Sequence, residues 1–185
     1  VAAAPGPAAL SSSLSREPWI RSLACPASAR VVVMDRRPGA QLWLAGEGPL
    51  RPELERRGRR LGLGEAAQFL GFLGHHELAR RYAAADVFVL PSLVETQGLT
   101  AMEAMHFGKP VLVTDRIVSA RELVDEGRNG FFVDARDPAE LAERLGRLHD
   151  GPELRRAMGE AGREKARAFG VEAFMREMMG AYERL

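Results

Sequence analysis

The sequence predicts an α/β domain in which a parallel sheet is covered by helices on both faces. Three observations predict it. Short apolar runs such as residues 86–90 and 110–114 are too brief for helices and lack polar alternation, the mark of strands buried on both sides. Strands alternate with stretches of helical length and charge, as in units joined by crossover helices. Gly or Pro closes most of the runs. With 185 residues, 46% of them hydrophobic, the chain is long enough for one domain with a core.

Taken in order, residues 1–30 stand apart. The first fifteen are almost all Ala, Pro, Gly, Ser and Leu. Such a composition buries little, so this segment is expected to be poorly ordered and the folded domain to run over residues 31–185. It lacks the basic start and unbroken apolar run of a signal peptide. Residues 31–34 read as a strand or the end of a helix. Residues 41–45 read as a buried strand that ends at Gly46-Glu47-Gly48-Pro49. A charged helix over 50–61 is stopped by Gly62 and Gly64. A second strand, 67–70, ends at Gly71. A helix over 77–85 places Leu78, Tyr82 and Ala85 on one face. The third strand, 86–90, is closed by Pro91, and a loop over 92–97 enters a helix over 98–107. A strand over 110–114, a short helix over 120–125 and a strand over 130–133 follow. Helices over 138–149, 152–169 and 171–185 complete the chain.

Composition excludes several functions. Twenty-six basic against 25 acidic residues leave a net charge of +1, with no bulk attraction for nucleic acid or an anionic membrane. No apolar run is long enough for a transmembrane helix, which leaves only peripheral membrane contact open. Cys25 is the single cysteine, so no internal disulfide forms and a cysteine-rich metal site is excluded; this suits a reducing compartment and points to the cytoplasm. Of the 26 basic residues only Lys109 and Lys165 are Lys.

Right-handed crossovers bring every strand-to-helix loop to the carboxyl edge of the sheet, where ligands bind in such folds. The loops there are 46–49, 71–76, 91–98 and 114–119. The third is richest. Gly98 sits where the loop enters a helix, so the N–H groups of Leu99, Thr100 and Ala101 point back as an anion site suited to a phosphate. Glu95 precedes that site and Glu103 follows it within the otherwise apolar Met102-Glu103-Ala104-Met105. Two carboxylates beside a phosphate site are suited to accept hydrogen bonds from hydroxyls of a sugar or ribose. Gly46-x-Gly48-Pro49 is a weaker signal, more often a plain turn. His75-His76 has no third ligand at useful spacing and reads as a helix start. Arg56, Arg57, Arg59 and Arg60 lie beside Glu53 and Glu55 and read as a solvated face. Lys109 falls at the opposite edge of the sheet from the crevice.

The string Leu44-Ala45-Gly46-x-Gly48-Pro49, then Phe69-Leu70-Gly71, then Ala85-Asp86-Val87-Phe88-Val89-Leu90-Pro91-Ser92, then Glu95, seven residues and Glu103-Ala104-Met105, then Gly108-Lys109-Pro110-Val111, resembles the carboxy-terminal domain of retaining glycosyltransferases of the family-4 type. The resemblance covers about residues 38 to 185 and implies one Rossmann-like half of the two-domain GT-B fold. It implies transfer of a hexose from a nucleotide-diphosphate sugar to an acceptor hydroxyl, with the donor as substrate and no metal or other cofactor. The acceptor side of the cleft would come from an amino-terminal domain or a partner chain; base, sugar and acceptor stay open.

The resemblance also implies roles. Glu103 matches the Glu that holds the ribose hydroxyls, and Glu95 the catalytic-site Glu that contacts the donor sugar and positions its anomeric carbon. Gln97 and Gly98 match backbone contacts to that sugar. Leu99 and Thr100 match amides that bind the diphosphate. Gly71, Phe72 and Leu73 match the segment whose backbone frames the base, and Gly46 and Gly48 the turn beside the nucleotide. Two features depart from the family. No Lys precedes Lys109, whereas the family has an Arg and a Lys before the Gly46 position that clamp the diphosphate. Arg116-Ile117-Val118-Ser119 stands where a glycine pair is usual, before the Glu that Glu122 matches. The first departure motivates an alternative of another class, a truncated, non-catalytic nucleotide-sugar-binding module. Dinucleotide binding has no support, since no Gly-x-Gly-x-x-Gly follows the first strand.

Overall fold

The computed structural model describes residues 30–32, 41–93, 98–116, 120–170 and 179. Among the described residues six strands form one sheet: β1 (Arg30–Val32), β2 (Leu42–Ala45), β3 (Ala67–Gly71), β4 (Phe88–Leu90), β5 (Val111–Thr114) and β6 (Gly130–Val133). The helices are α1 (Arg51–Arg60), α2 (His75–Ala84), α3 (Leu99–His106), α4 (Ala120–Leu123), α5 (Pro138–Asp150) and α6 (Pro152–Arg167). The strand order is β3-β2-β1-β4-β5-β6. The α/β class is as expected, and β6 has the expected bounds. Helix α2 starts earlier than expected, at His75, with Gly74 as its N-cap. The expected low-complexity segment and the expected last helix over 171–185 lie outside the described residues, save Arg30 and Met179.

One expectation is corrected. The sheet is not wholly parallel, because β1 runs antiparallel to both β2 and β4. The cause is the link over residues 33–41, shorter than the dozen or so residues a parallel crossover needs. Neighbouring strands joined so briefly must turn back. The pairs β2–β3, β4–β5 and β5–β6 are parallel, so β2 to β6 all point one way and share a carboxyl edge.

Side-chain alternation divides the core between the two faces. In β4, Phe88 and Leu90 pack with Leu78, Tyr82, Ala104 and Met105 from α2 and α3. Val89 faces the other way and packs with Leu141, Leu145 and Leu148 of α5. Val111 and Val113 of β5 follow Phe88, whereas Leu112 follows Val89. Strands buried on both faces carry apolar side chains at successive positions, which is why these runs read as nearly continuous. Among the described residues no helix is long and apolar enough to cross a membrane.

Helix α3 is fixed at its far end. Gly108 adopts φ +69°, its N–H donates to Met105 O over 2.8 Å, and Lys109 N–H donates to Ala104 O over 3.0 Å. This is a Schellman cap, and the left-handed residue at its turn is a glycine. Helix α6 then closes on it. A Cβ on Gly159 would lie 2.1 Å from Gly108 O, so only glycine allows the approach. Arg163 donates to His106 O at 3.2 Å and to Phe107 O at 3.3 Å, placing positive charge at the negative end of the α3 dipole. Lys109 does the same for α2, its Nζ donating to Ala83 O at 2.9 Å.

Candidate functional site

The carboxyl edge gathers the candidate residues through two pairs of elements. The first is β4 with α3. Gly98, buried, takes φ 61° and ψ 30°, a left-handed conformation that lets the chain leave the loop and start a helix at once. Its carbonyl accepts from Ala101 N–H at 2.9 Å and from Met102 N–H at 3.2 Å. The Ala101 N–H, expected to be open for an anion, is therefore spent inside the tightened first turn. Leu99 and Thr100 supply the N–H groups nearest the helix end. Leu99 is 53% exposed and Thr100 is 8% exposed. The Thr100 Oγ1 is buried with no hydrogen-bond partner among the described residues. A hydroxyl buried without a partner is uncommon in a folded protein and marks a place where a ligand or water completes the set.

Glu103 sits one turn further along α3, half-buried, and Tyr82 Oη donates to its Oε2 over 2.9 Å. Tyr82 reaches it from the last turn of α2 and is itself 3% exposed. Its ring meets Phe88 edge-on at 5.7 Å and stacks on Phe107 at 5.8 Å. Helical spacing placed Tyr82 correctly on the buried face but was silent about its hydroxyl. The available signal was that a buried phenol needs a hydrogen-bond partner, and Glu103 is a polar residue within another apolar helix face.

The second pair is the loops after β2 and β3. Gly46 N–H donates to Gly71 O over 2.7 Å, which ties the two glycine turns together. Gly71 takes φ +67°, and a Cβ there would lie 2.6 Å from Glu47 Oε1. Glu47 and Arg51, which sequence reasoning did not single out, explain that crowding. Arg51 bonds Glu47 at 2.5 Å and Glu55 at 2.8 Å, and donates to Phe69 O at 3.2 Å. The Glu55 carboxylate, and Glu47 with it, push the Arg51 guanidinium further up from its ordinary value. A fixed cation thus straps α1 to the end of β3. Beneath the strap lies a pocket of ≈ 90 Å³ with apolar walls from Leu44, Pro49, Leu54 and Phe69. It opens at the loop that the sequence ranked as the weaker signal. Phe72 is 85% exposed, while Leu73 packs against the core.

Glu95 and Gln97 lie outside the described residues, as do residues 117–119 of the last loop. Glu122 is exposed on α4. Neither lysine stands at the carboxyl edge. Lys109 is engaged at the end of α2, and Lys165 pairs with Asp125 at 2.5 Å, beside the turn that precedes β6.

Comparison with known proteins places this arrangement. The model of the family described as glycosyl transferases group 1 matches residues 27–165. The D-inositol 3-phosphate glycosyltransferase of Streptomyces scabiei is 36% identical over 151 residues, which are 77% of this chain and 34% of that protein. The sucrose-phosphate synthase of Thermosynechococcus elongatus superposes with a TM-score of 0.68 at 32% identity, over 77% of this chain and 37% of its own. Anabaena HepE in complex with UDP-glucose superposes with a TM-score of 0.70 at 27% identity, over 80% of this chain and 42% of its own. The chain therefore spans about a third of the length of the curated relatives it matches. Its fold is the Rossmann-like half of a GT-B glycosyltransferase.

Proposed function

The chain belongs to the group 1 glycosyl transferases, and from that membership we propose that it is the donor-binding half of a retaining enzyme of the family-4 type. The whole enzyme transfers a hexose from a nucleotide-diphosphate sugar to an acceptor hydroxyl. An amino-terminal domain or partner chain supplies the acceptor side, in keeping with the larger size of the relatives. The observation that carries this reading is a carboxylate, Glu103, held by a buried phenol one turn beyond a helix N-terminus whose Thr100 hydroxyl is buried and unpartnered. An anion fits the helix end, and vicinal hydroxyls fit the carboxylate. On this reading Glu103 takes the ribose, Leu99 and Thr100 the diphosphate, and Gly71, Phe72 and Leu73 the base, with Gly46 and Gly48 alongside. Glu95, Gln97 and Gly98 take the donor sugar, Glu95 next to its anomeric carbon. The donor is a substrate, and no metal or other cofactor takes part. Anabaena HepE, seen with UDP-glucose, makes UDP the first nucleotide to try.

Calorimetry of the chain with UDP tests the proposal. Binding is expected, and Glu103→Ala should weaken it about tenfold or more, the value of a charge-assisted hydrogen-bond set. Unchanged affinity would remove Glu103 from the site.

A second reading is favoured by the lysines. Both are engaged at the amino side of the sheet, so neither reaches a diphosphate at the carboxyl edge. A chain without that clamp binds the donor but does not stabilise the leaving group. Turnover by the 185 residues alone, assayed as release of UDP from UDP-glucose, would refute this non-catalytic alternative.

A further inference from the structure

The reading above uses Tyr82 only as the group that marks Glu103, and we infer that it is a positioning residue for the nucleotide's ribose: it fixes the Glu103 carboxylate so that the second oxygen, Oε1, meets the vicinal hydroxyls. The inference rests on the proposed role of Glu103. An ionised carboxylate accepts only, through two oxygens. Oε2 is taken by the Tyr82 hydroxyl at 2.9 Å, and Oε1 has no partner among the described residues.

The direction of control follows from packing. Tyr82 is 3% exposed and its ring is held between Phe88 and Phe107, so it cannot follow Glu103. Glu103 is half-buried on a long side chain with several rotamers, and it is the partner that the bond immobilises. A side chain already held in its binding geometry loses less entropy when the ligand arrives. Loss of the phenol oxygen should therefore weaken only those ligands that reach for Glu103.

A phenol that merely needed a buried partner would behave differently. Its removal would alter stability and weaken all nucleotides alike. The two cases separate in a calorimetric comparison of UDP with 2′,3′-dideoxy-UDP on the wild-type chain, Tyr82→Phe and Glu103→Gln. Tyr82→Phe is expected to weaken UDP about three- to tenfold and to change dideoxy-UDP less than about twofold. Equal loss for both nucleotides, or unchanged UDP affinity, overturns the inference. If Glu103→Gln loses the preference for UDP and Tyr82→Phe keeps it, the inference fails while the reading of Glu103 stands. If the wild type shows no preference for UDP over its dideoxy form, the role of Glu103 fails and this inference with it. Labelling both tyrosines with 3-fluorotyrosine gives a second route that needs no substitution. The fluorine resonance of Tyr82 should shift with UDP and hardly with dideoxy-UDP; equal shifts overturn the inference.

Discussion

The Tyr82 hydroxyl donates to Glu103 Oε2 across 2.9 Å, joining the last turn of α2 to the middle of α3. The bond is therefore structural as well as local to the candidate site. Glu103→Ala removes an acceptor from a buried phenol, at a cost of about 1 kcal/mol of folding stability. Glu103→Gln keeps an amide oxygen in place and should cost less. Urea denaturation of both variants beside the wild type checks the order; equal losses would show that the acceptor is not what α2 and α3 share.

Gly71 is expected to resist substitution for two reasons that add. It lies at φ +67°, and a Cβ would meet Glu47 Oε1 at 2.6 Å and Arg51 Nη1 at 3.2 Å. Gly71→Ala should destabilise the chain by about 1–3 kcal/mol. Part of that cost comes from a side chain that can move. Combining it with Glu47→Ala should recover part of the loss, leaving the backbone strain. A double-mutant cycle by denaturation gives the coupling; strict additivity would place the whole cost in φ.

Thr100→Val should separate stability from binding. The Oγ1 it removes is buried and unpartnered, and valine has nearly the same shape. Folding stability is expected to rise by about 1 kcal/mol, the relief of an unsatisfied polar group. If the hydroxyl completes a phosphate site, affinity for UDP falls in the same variant while affinity for uridine, which has no phosphate, is kept. A variant that is no more stable than wild type would mean that the hydroxyl is satisfied in solution.

Lys109 gives a pH signature. Burial lowers its pKa from the ordinary lysine value, Asp86 opposes that, and Arg163 adds to the lowering. The folded chain therefore releases this proton before the unfolded chain does. Between the lowered value and about 10.5 the unfolded state binds more protons, so this group's contribution makes stability rise with pH across that window. Below it the cost of burying the charge is present in full. In Lys109→Met the rise is absent, so the wild type should gain on the variant as pH climbs through the lowered value towards about 10.5. Denaturant melts at several pH values check the sign; a wild type that loses ground to the variant would contradict it.

Most of the scaffold was readable because it obeys local rules. β5 and β6 are apolar runs whose alternate residues enter opposite halves of the core, and Gly98 stands where a left-handed residue must start α3. The direction of β1 was not readable from its own residues, since it depends on the length of the link that follows. The engagement of the Ala101 N–H is not legible in the sequence, because the tightening of the first turn onto Gly98 O leaves no mark in residue type. Tyr82 with Glu103, and Arg51 with Glu47 and Phe69, escaped for another reason. Periodicity assigns a residue to a face but not to a partner on a different element.

The clamp of Arg163 on the end of α3 sets an order of events at the ribosome. The carbonyls of His106 and Phe107 are held by a residue 57 and 56 positions downstream. At a synthesis rate of roughly 5–20 residues per second, about three to eleven seconds pass between the two ends of that contact. Throughout that interval α3, with Thr100 and Glu103 already made, lacks the cation and the packing of α6 at its far end. A nascent chain is thus built before it is seated, and a stop anywhere between residues 108 and 151 yields Thr100 and Glu103 without the helix that locks α3.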